Sequence, residues 1–378
     1  MGQPSVALTD FFFYGTLCHQ PLLETVLGRK VEVEPARLAD HAVFWAAGQS
    51  FPLIVQSPGA EAEGVLVRGL SPEDVARLDF YEGGFAYHTR TVQLSGGGHE
   101  ARVYFPDPGH WTPGQPWRLG DWVARYGSVV LATAEDFMAL FGQKESAEVL
   151  DRYRQMLVRG ASRVRARSAE VPATVRRVAA ADDIDLIRRR EPYAHFFAVE
   201  EYDLRHRRFD GRMSAAVNRA AFVSGDAATV LPYDPARDRV LLIEQFRPGP
   251  YARGDRNAWM LEPVAGRIDP FETPEDCARR EAREEAGLEI GALHPVARFY
   301  PSPGAKTEFL FSFVGIADLP DGAAGLHGAA DENEDIRGHL VPFARLMDLA
   351  LSLEGANAPL IITAMWLQAN RDRLRPGA

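Results

Sequence analysis

The stretch from Gly266 to Leu288 constrains this chain more than any other, because it contains residues that begin and end a helix. Thr273 is a good N-cap, Pro274 suits the first helical position, and Glu275 and Asp276 favour the positive end of the helix dipole. Gly287 supplies a left-handed stop, so the residues predict a helix over Pro274–Ala286. Within it Glu281 stands three and four residues before Glu284 and Glu285, which turns three carboxylates toward one side of the last turns. Such carboxylates repel one another until a cation relieves them, and hard oxygen ligands suit Mg²⁺. A solvated acidic face, partly neutralised by Arg280 and Arg283, accounts for the same three glutamates.

The wider spacing is more specific. Gly266 is followed after five residues by Glu272, after seven more by Arg280-Glu281, and then by Glu284-Glu285 and Gly287-Leu288. With ordinary residue usage a chance match is on the order of one in a million. The pattern resembles the signature of the Nudix hydrolases, although Pro270-Phe271 stands where many members have an acidic residue and glycine. The resemblance implies a loop, helix and loop packed on a mixed sheet in an α/β/α sandwich. It also implies that Glu281, Glu284, Glu285 and the carbonyl of Ala265 hold Mg²⁺, with Mn²⁺ as an alternative, while Glu272 and Arg280 orient them.

Flanking segments narrow the substrate. Phe196-Phe197, Arg205-His206-Arg207, Ile243 to Arg247, Leu261 to Gly266, Ser302-Pro303-Gly304 and Gly325 to Arg337 resemble bacterial ADP-ribose pyrophosphatases. The resemblance implies that Arg219 and Arg247 contact phosphates or ribose and that Glu262 and Glu308 lie on the substrate side. Phe196 would stack on adenine from a partner subunit, which implies a homodimer; read without the family, Phe196-Phe197 is a buried strand pair. In the acidic run Asp331 to Asp335, Glu332 matches the general base that takes a proton from the attacking water, and Glu334 a residue that assists metal binding; the two are easily exchanged. The expected products are AMP and ribose 5-phosphate. Ala305-Lys306-Thr307 departs from the commoner glycine and serine pattern, and a group that cleaves GDP-mannose also carries Thr-Glu here, so another nucleotide sugar stays open.

The first part of the chain carries a second, shorter pattern. Apolar and aromatic residues from Val6 to Tyr14 read as a buried strand running into Gly15-Thr16, a turn whose amides can cradle an anion. Tyr14-Gly15-Thr16-Leu17, with Leu78 to Gly83, Tyr87 and Arg90, resembles γ-glutamylcyclotransferase-like (AIG2-like) proteins over about Asp10 to Gly127. The resemblance implies a mixed barrel with helices, a γ-glutamyl ligand near Tyr14, Gly15, Thr16 and Leu17, and Glu82 as the base that frees the substrate α-amine to form 5-oxoproline. A module that only binds or dimerises fits equally. Proteins combining these two domains carry a tellurite-resistance label, a phenotype for which the residues supply no mechanism.

At 378 residues the chain exceeds one ordinary core, which suits two domains. The expected division is a first domain at 1–158, a connector at 159–182 poor in large apolar residues, and a Nudix domain at 183–378. Strands are expected at Glu63–Leu70, Thr89–Leu94, Phe196–Leu204, Ser214–Val223, Ala228–Tyr233 and Val240–Gln245, and a helical region after a cap-like Thr133. A net charge of -10 and the lack of a basic aromatic stripe argue against nucleic acid. Two distant cysteines, Cys18 and Cys277, argue against disulfides, and no apolar run approaches a bilayer span. These features lead us to expect a cytoplasmic protein acting on small molecules.

Overall fold

Three consecutive phenylalanines set the architecture of the first unit. In a strand, neighbouring side chains point to opposite faces, and Phe11, Phe12 and Phe13 are all buried on the strand Thr9–Phe13. Phe11 and Phe13 join a core with Leu22, Leu78, Trp122 and Phe137 from the helices. Phe12 joins a second core with Leu38, Ile54, Leu66, Val103 and Phe105, all on strands, as in a sheet rolled toward a barrel. The structure is a computed structural model that describes residues 8–96, 98–328 and 334–375. It divides into two units, Met1–Glu170 and Val171–Ala378.

The six strands of the first unit run in the order Tyr87–Gln93, Glu100–Pro106, Thr9–Phe13, Pro52–Leu70, Glu34–Ala46 and Pro113–Pro116. Only the pairing of Thr9–Phe13 with Glu100–Pro106 is parallel among these neighbours. The helix Pro72–Glu82 begins in a capping box: Ser71 Oγ accepts the Asp74 N–H at 3.2 Å and the Asp74 carboxylate accepts the Ser71 N–H at 2.9 Å. That box fixes the helix whose last residue is Glu82.

Two expectations fail here. Thr133 is no cap: it is fully buried inside the helix Ser128–Met138, where its hydroxyl donates to the Val129 carbonyl at 2.7 Å. The segment read as a connector from residue 159 is helical through Ser168. Its small residues mislead, because smallness is what lets this helix dock. A Cβ on Gly160 would overlap Thr133, and Arg163 ties the helix to Asp136 at 2.5 Å.

In the second unit a mixed sheet runs Leu293–Phe299, Leu310–Ile316, Ala227–Asp234, Arg239–Phe246, Ile336–Pro342 and Leu326–His327, with Trp259–Glu262 and Val264–Arg267 paired at its side. Alternation again decides the layers. Val230, Leu241 and Ile243 pack on Cys277, Ala278 and Ala282 of the helix Pro274–Ala286. Leu231, Val240 and Leu242 pack on Leu346, Leu360 and Leu367 of the helices Phe343–Ala350 and Ala358–Leu374. This is a three-layer α/β/α sandwich. A separate three-stranded sheet comprises Ile184–Ala194, Ala198–His206 and Val217–Val223. Phe196 and Phe197 lie in the turn before Ala198, where the His195 N–H reaches the Phe197 carbonyl at 2.7 Å. Phe196 is therefore 57% exposed, not half of a buried strand pair. Among the described residues no helix is long and apolar enough to cross a membrane.

Candidate functional site

The helix Pro274–Ala286 forms over the expected residues, and its ends are made as the sequence indicates. Thr273 Oγ1 accepts the Asp276 N–H at 3.1 Å, and Gly287 takes φ 62° while the Leu288 N–H returns to the Ala282 carbonyl at 2.9 Å. The apolar face is narrow, Cys277, Ala278, Ala282 and Ala286, so the helix lies close to the sheet. Glu285 falls on that buried side, and only 3% of it is exposed. A solvated acidic face would not bury it.

Glu285 accepts the Ala265 N–H at 3.0 Å, which fixes the carboxylate beside the Ala265 backbone. Glu281 lies against the backbone of Gly266, where a Cβ would overlap its carboxylate. Glycine at 266 is thus required for close approach. Burial, with a smaller contribution from the nearby Glu334 charge, pushes Glu281 up to about 7 and Glu285 up to about 8. Glu284 lies at the rim with its side chain 48% exposed.

Arg280 links these groups to Glu272. Its Nε donates to Glu272 Oε1 at 2.9 Å and one terminal nitrogen to Glu272 Oε2 at 3.0 Å. The other nitrogen donates to Glu281 at 2.6 Å and Glu284 at 2.8 Å. Glu272 is anchored in turn by the Asp269 N–H at 3.1 Å. Among the described residues no three acidic, His or Cys side chains stand close enough to form a ready-made metal cage. The donor set nevertheless fits a hard divalent cation: all donors are oxygens, the Glu285 carboxylate is buried and the Glu281 side chain is only 12% exposed, and the Gly266 approach leaves room where a side chain would intrude.

Arg247 faces the same cluster. It donates to Glu262 Oε2 at 2.9 Å and 2.6 Å, and its positive charge is held by Glu262, Glu285 and Glu334. The other oxygen of Glu262 accepts from Asn357 Nδ2 at 3.2 Å. Asn357 also caps the helix Ala358–Leu374 through its own oxygen. The sequence reading passed over Asn357, though Asn-Ala-Pro before an apolar run is a cap signal.

Other expected site residues make contacts of their own. Arg219 is exposed and donates to the Asn218 carbonyl at 2.8 Å. Glu308 pairs with Lys306 at 3.3 Å. Phe196 packs under the Arg267 guanidinium, 3.9 Å from ring centre to carbon, one residue from Gly266. Glu332 lies outside the described residues.

In the first unit, Glu82 ends its helix on the wall of a 440 Å³ cavity that Tyr14, Gly15, Thr16 and Leu17 also line. The Cys18 N–H bonds the Gly15 carbonyl and the His19 N–H that of Thr16, both at 3.0 Å, closing the expected turn. Burial pushes the Glu82 carboxyl up to about 7. The cavity is rich in tyrosine: Tyr87 donates to the Pro52 carbonyl at 2.8 Å, and Tyr104 to Asp79 at 2.7 Å.

Comparison with known proteins agrees with both patterns. Residues 223–362 match the NUDIX domain model, and residues 11–124 match that of gamma-glutamyl cyclotransferase, AIG2-like. An ADP-ribose pyrophosphatase of Escherichia coli K12 is 43% identical over 194 residues, covering 51% of this chain and 92% of that protein. One from Haemophilus influenzae is 35% identical over 195 residues, 51% of this chain and 89% of that protein. A GDP-mannose pyrophosphatase of Salmonella paratyphi B is 32% identical over 152 residues, 40% of this chain and 78% of that protein. A solved structure titled as an ADP compounds hydrolase has 21% identity and a TM-score of 0.39, covering 51% of this chain and 98% of that one.

Proposed function

Because the chain belongs to the Nudix hydrolase family, we propose that its second unit hydrolyses the pyrophosphate of ADP-ribose to AMP and ribose 5-phosphate. The observation that carries this reading is the buried Glu285 and largely buried Glu281 beside Ala265 and Gly266, with Glu281 braced by Arg280 and Arg247 facing them. Glu281, Glu285 and the Ala265 carbonyl, with Glu284 and Glu334, would hold a divalent cation, Mg²⁺ or alternatively Mn²⁺. Such a cation supplies charge neutralisation at the diphosphate when bound.

The protein's own part is positioning and proton transfer. Arg280 keeps Glu281 and Glu284 in register by spanning them and Glu272. Arg247, backed by Glu262, presents a planar guanidinium suited to a phosphate or ribose oxygen, and Arg219 and Glu308 complete the substrate side. Glu332 takes a proton from water as its oxygen attacks phosphorus; the bond from phosphorus to the bridging oxygen breaks, and the second phosphate leaves. Phe196 stacks on the adenine of a partner subunit. The exposed Ile184, Leu186 and Ile187 on the edge strand Ile184–Ala194 support the homodimer this requires. The chemistry suits a cytoplasmic enzyme.

Release of AMP from ADP-ribose with Mg²⁺, measured beside GDP-mannose and dinucleotides, tests the substrate. Glu332→Gln is expected to lower turnover by about 10²-fold or more. No AMP from ADP-ribose, or a Glu332→Gln enzyme equal to wild type, would overturn the assignment.

The first unit supports a second activity, carried by the half-buried Glu82 on the cavity wall. Glu82 takes a proton from a γ-glutamyl α-ammonium group. The freed nitrogen bonds to the γ-carbonyl carbon and gives up a second proton; the γ-amide bond breaks, and the departing amine takes up both protons and leaves as an ammonium group. 5-Oxoproline results. Its release from γ-glutamyl compounds by wild type, and its loss in Glu82→Gln, is the test; equal release would leave the unit as a binding module.

A further inference from the structure

The cavity of the first unit has an unusual charge balance. Among the described residues that line it, Glu82 is the one carboxylate, none is Lys or Arg, and His110 at the exposed rim is the one able to carry positive charge. A γ-glutamyl group already brings a carboxylate of its own. A second carboxylate on the amine portion would enter a tyrosine-lined space with no cation to meet it and Glu82 to repel it.

The rim offers something else. Phe51, Phe85 and Trp111 are half-buried and line the cavity. Phe51 meets Trp111 edge to face at 5.1 Å and 83°, and Phe85 at 6.0 Å and 61°. The Trp111 indole donates to the Phe85 carbonyl at 3.3 Å, and Phe85 packs on Tyr153 at 5.5 Å and 86°. Rings locked by such contacts form a preorganised slot, and edge-to-face geometry extends to one more ring at little entropic cost.

We propose that this cavity takes γ-glutamyl conjugates of an amine bearing an uncharged aromatic group, with Phe51, Phe85 and Trp111 selecting that group. γ-Glutamyl amino acids, which carry a second carboxylate, are discriminated against. The proposal rests on the reading of the cavity as a γ-glutamyl site. The rings select through burial and stacking, while the lack of a cation excludes.

The test uses the whole 378-residue chain at pH 8. 5-Oxoproline release is followed from γ-glutamylbenzylamide, γ-glutamylmethylamide and γ-glutamylalanine, and binding of each to Glu82→Gln is measured by calorimetry. The benzylamide is expected to exceed the other two by at least about tenfold in kcat/KM. Phe51→Ala and Trp111→Ala should each reduce that preference, raising KM for the benzylamide more than for the methylamide. Trp111→Arg and, as an independent variant, Phe51→Arg should raise activity on the alanine conjugate. Equal or better use of the alanine conjugate by wild type would overturn the selectivity and leave the cyclotransferase reading standing. Tight binding of the benzylamide without any 5-oxoproline would keep the ligand class and remove the cyclotransferase. No turnover and no binding of any conjugate would overturn both.

Discussion

Glu82→Gln should stabilise the first unit and abolish its proposed chemistry together. A carboxyl raised from 4.5 to about 7 by burial binds its proton more tightly in the folded chain than in the unfolded one. Folding stability therefore falls as pH rises from about 4.5 to about 7, where the unfolded carboxyl is ionised and the folded one is not. At 1.36 kcal/mol per tenfold, the full penalty above pH 8 is about 3 kcal/mol. Glutamine has the same shape and no charge, so the variant should lack this loss. Hydrogen exchange of amides in the strand Thr9–Phe13 reports the opening free energy of this unit. Measured from pH 5 to pH 8.5, wild type is expected to lose protection with rising pH, and Glu82→Gln to exceed it by about 2–3 kcal/mol at the upper end. Parallel curves for the two proteins would show that the Glu82 carboxyl is solvated and would refute the reasoning.

Gly266→Ala places a Cβ on the Glu281 carboxylate, so AMP release should fall by roughly tenfold or more with melting little changed; an unchanged rate would mean that the close approach is dispensable. Asn357→Ser keeps a helix cap but removes the amide that holds Glu262, and should raise KM several-fold at constant stability, whereas Asn357→Ala should also cost about 1 kcal/mol in urea unfolding. Equal KM in wild type and both variants would detach Asn357 from Arg247. Asp74 is held at about 2, below its ordinary 3.8, chiefly by the Arg29 guanidinium. Its contribution is present above pH 3.8 and lost as pH falls toward 2, so acid titration of Asp74→Asn should show a shallower loss of stability there than wild type.

How much was legible in the sequence follows from how local each cause is. Thr273, Pro274 and Gly287 act within a turn of themselves, so the helix Pro274–Ala286 could be read directly, and the reaction type through the resemblance of its glutamate spacing to the Nudix signature. The strand Thr9–Phe13 and the turn after Tyr14 are local in the same sense. Thr133 and the segment from Arg159 misled because a hydroxyl or a small side chain has one meaning exposed and another when a second helix packs on it. Phe196 misled because a turn can expose an aromatic that composition alone would bury.

Only the tertiary structure decided which glutamates are buried. The helical repeat places Glu281, Glu284 and Glu285 within one turn, but the sheet beneath takes Glu285 inward, leaves Glu284 at the rim, and sets Glu281 on Gly266. The relay from Asn357 through Glu262 to Arg247 joins residues far apart in sequence, and no local pattern encodes it. The same holds for the cavity of the first unit, where Glu82 acquires its raised proton affinity from tyrosines and phenylalanines on other strands and helices. The sequence by itself determined the helix, because hydrogen bonding and backbone preference act over a few residues, and pointed to the kind of chemistry through the signature that the helix carries. Desolvation depends on everything packed around a group, so which carboxylates are buried and what each site accepts was decided by the fold.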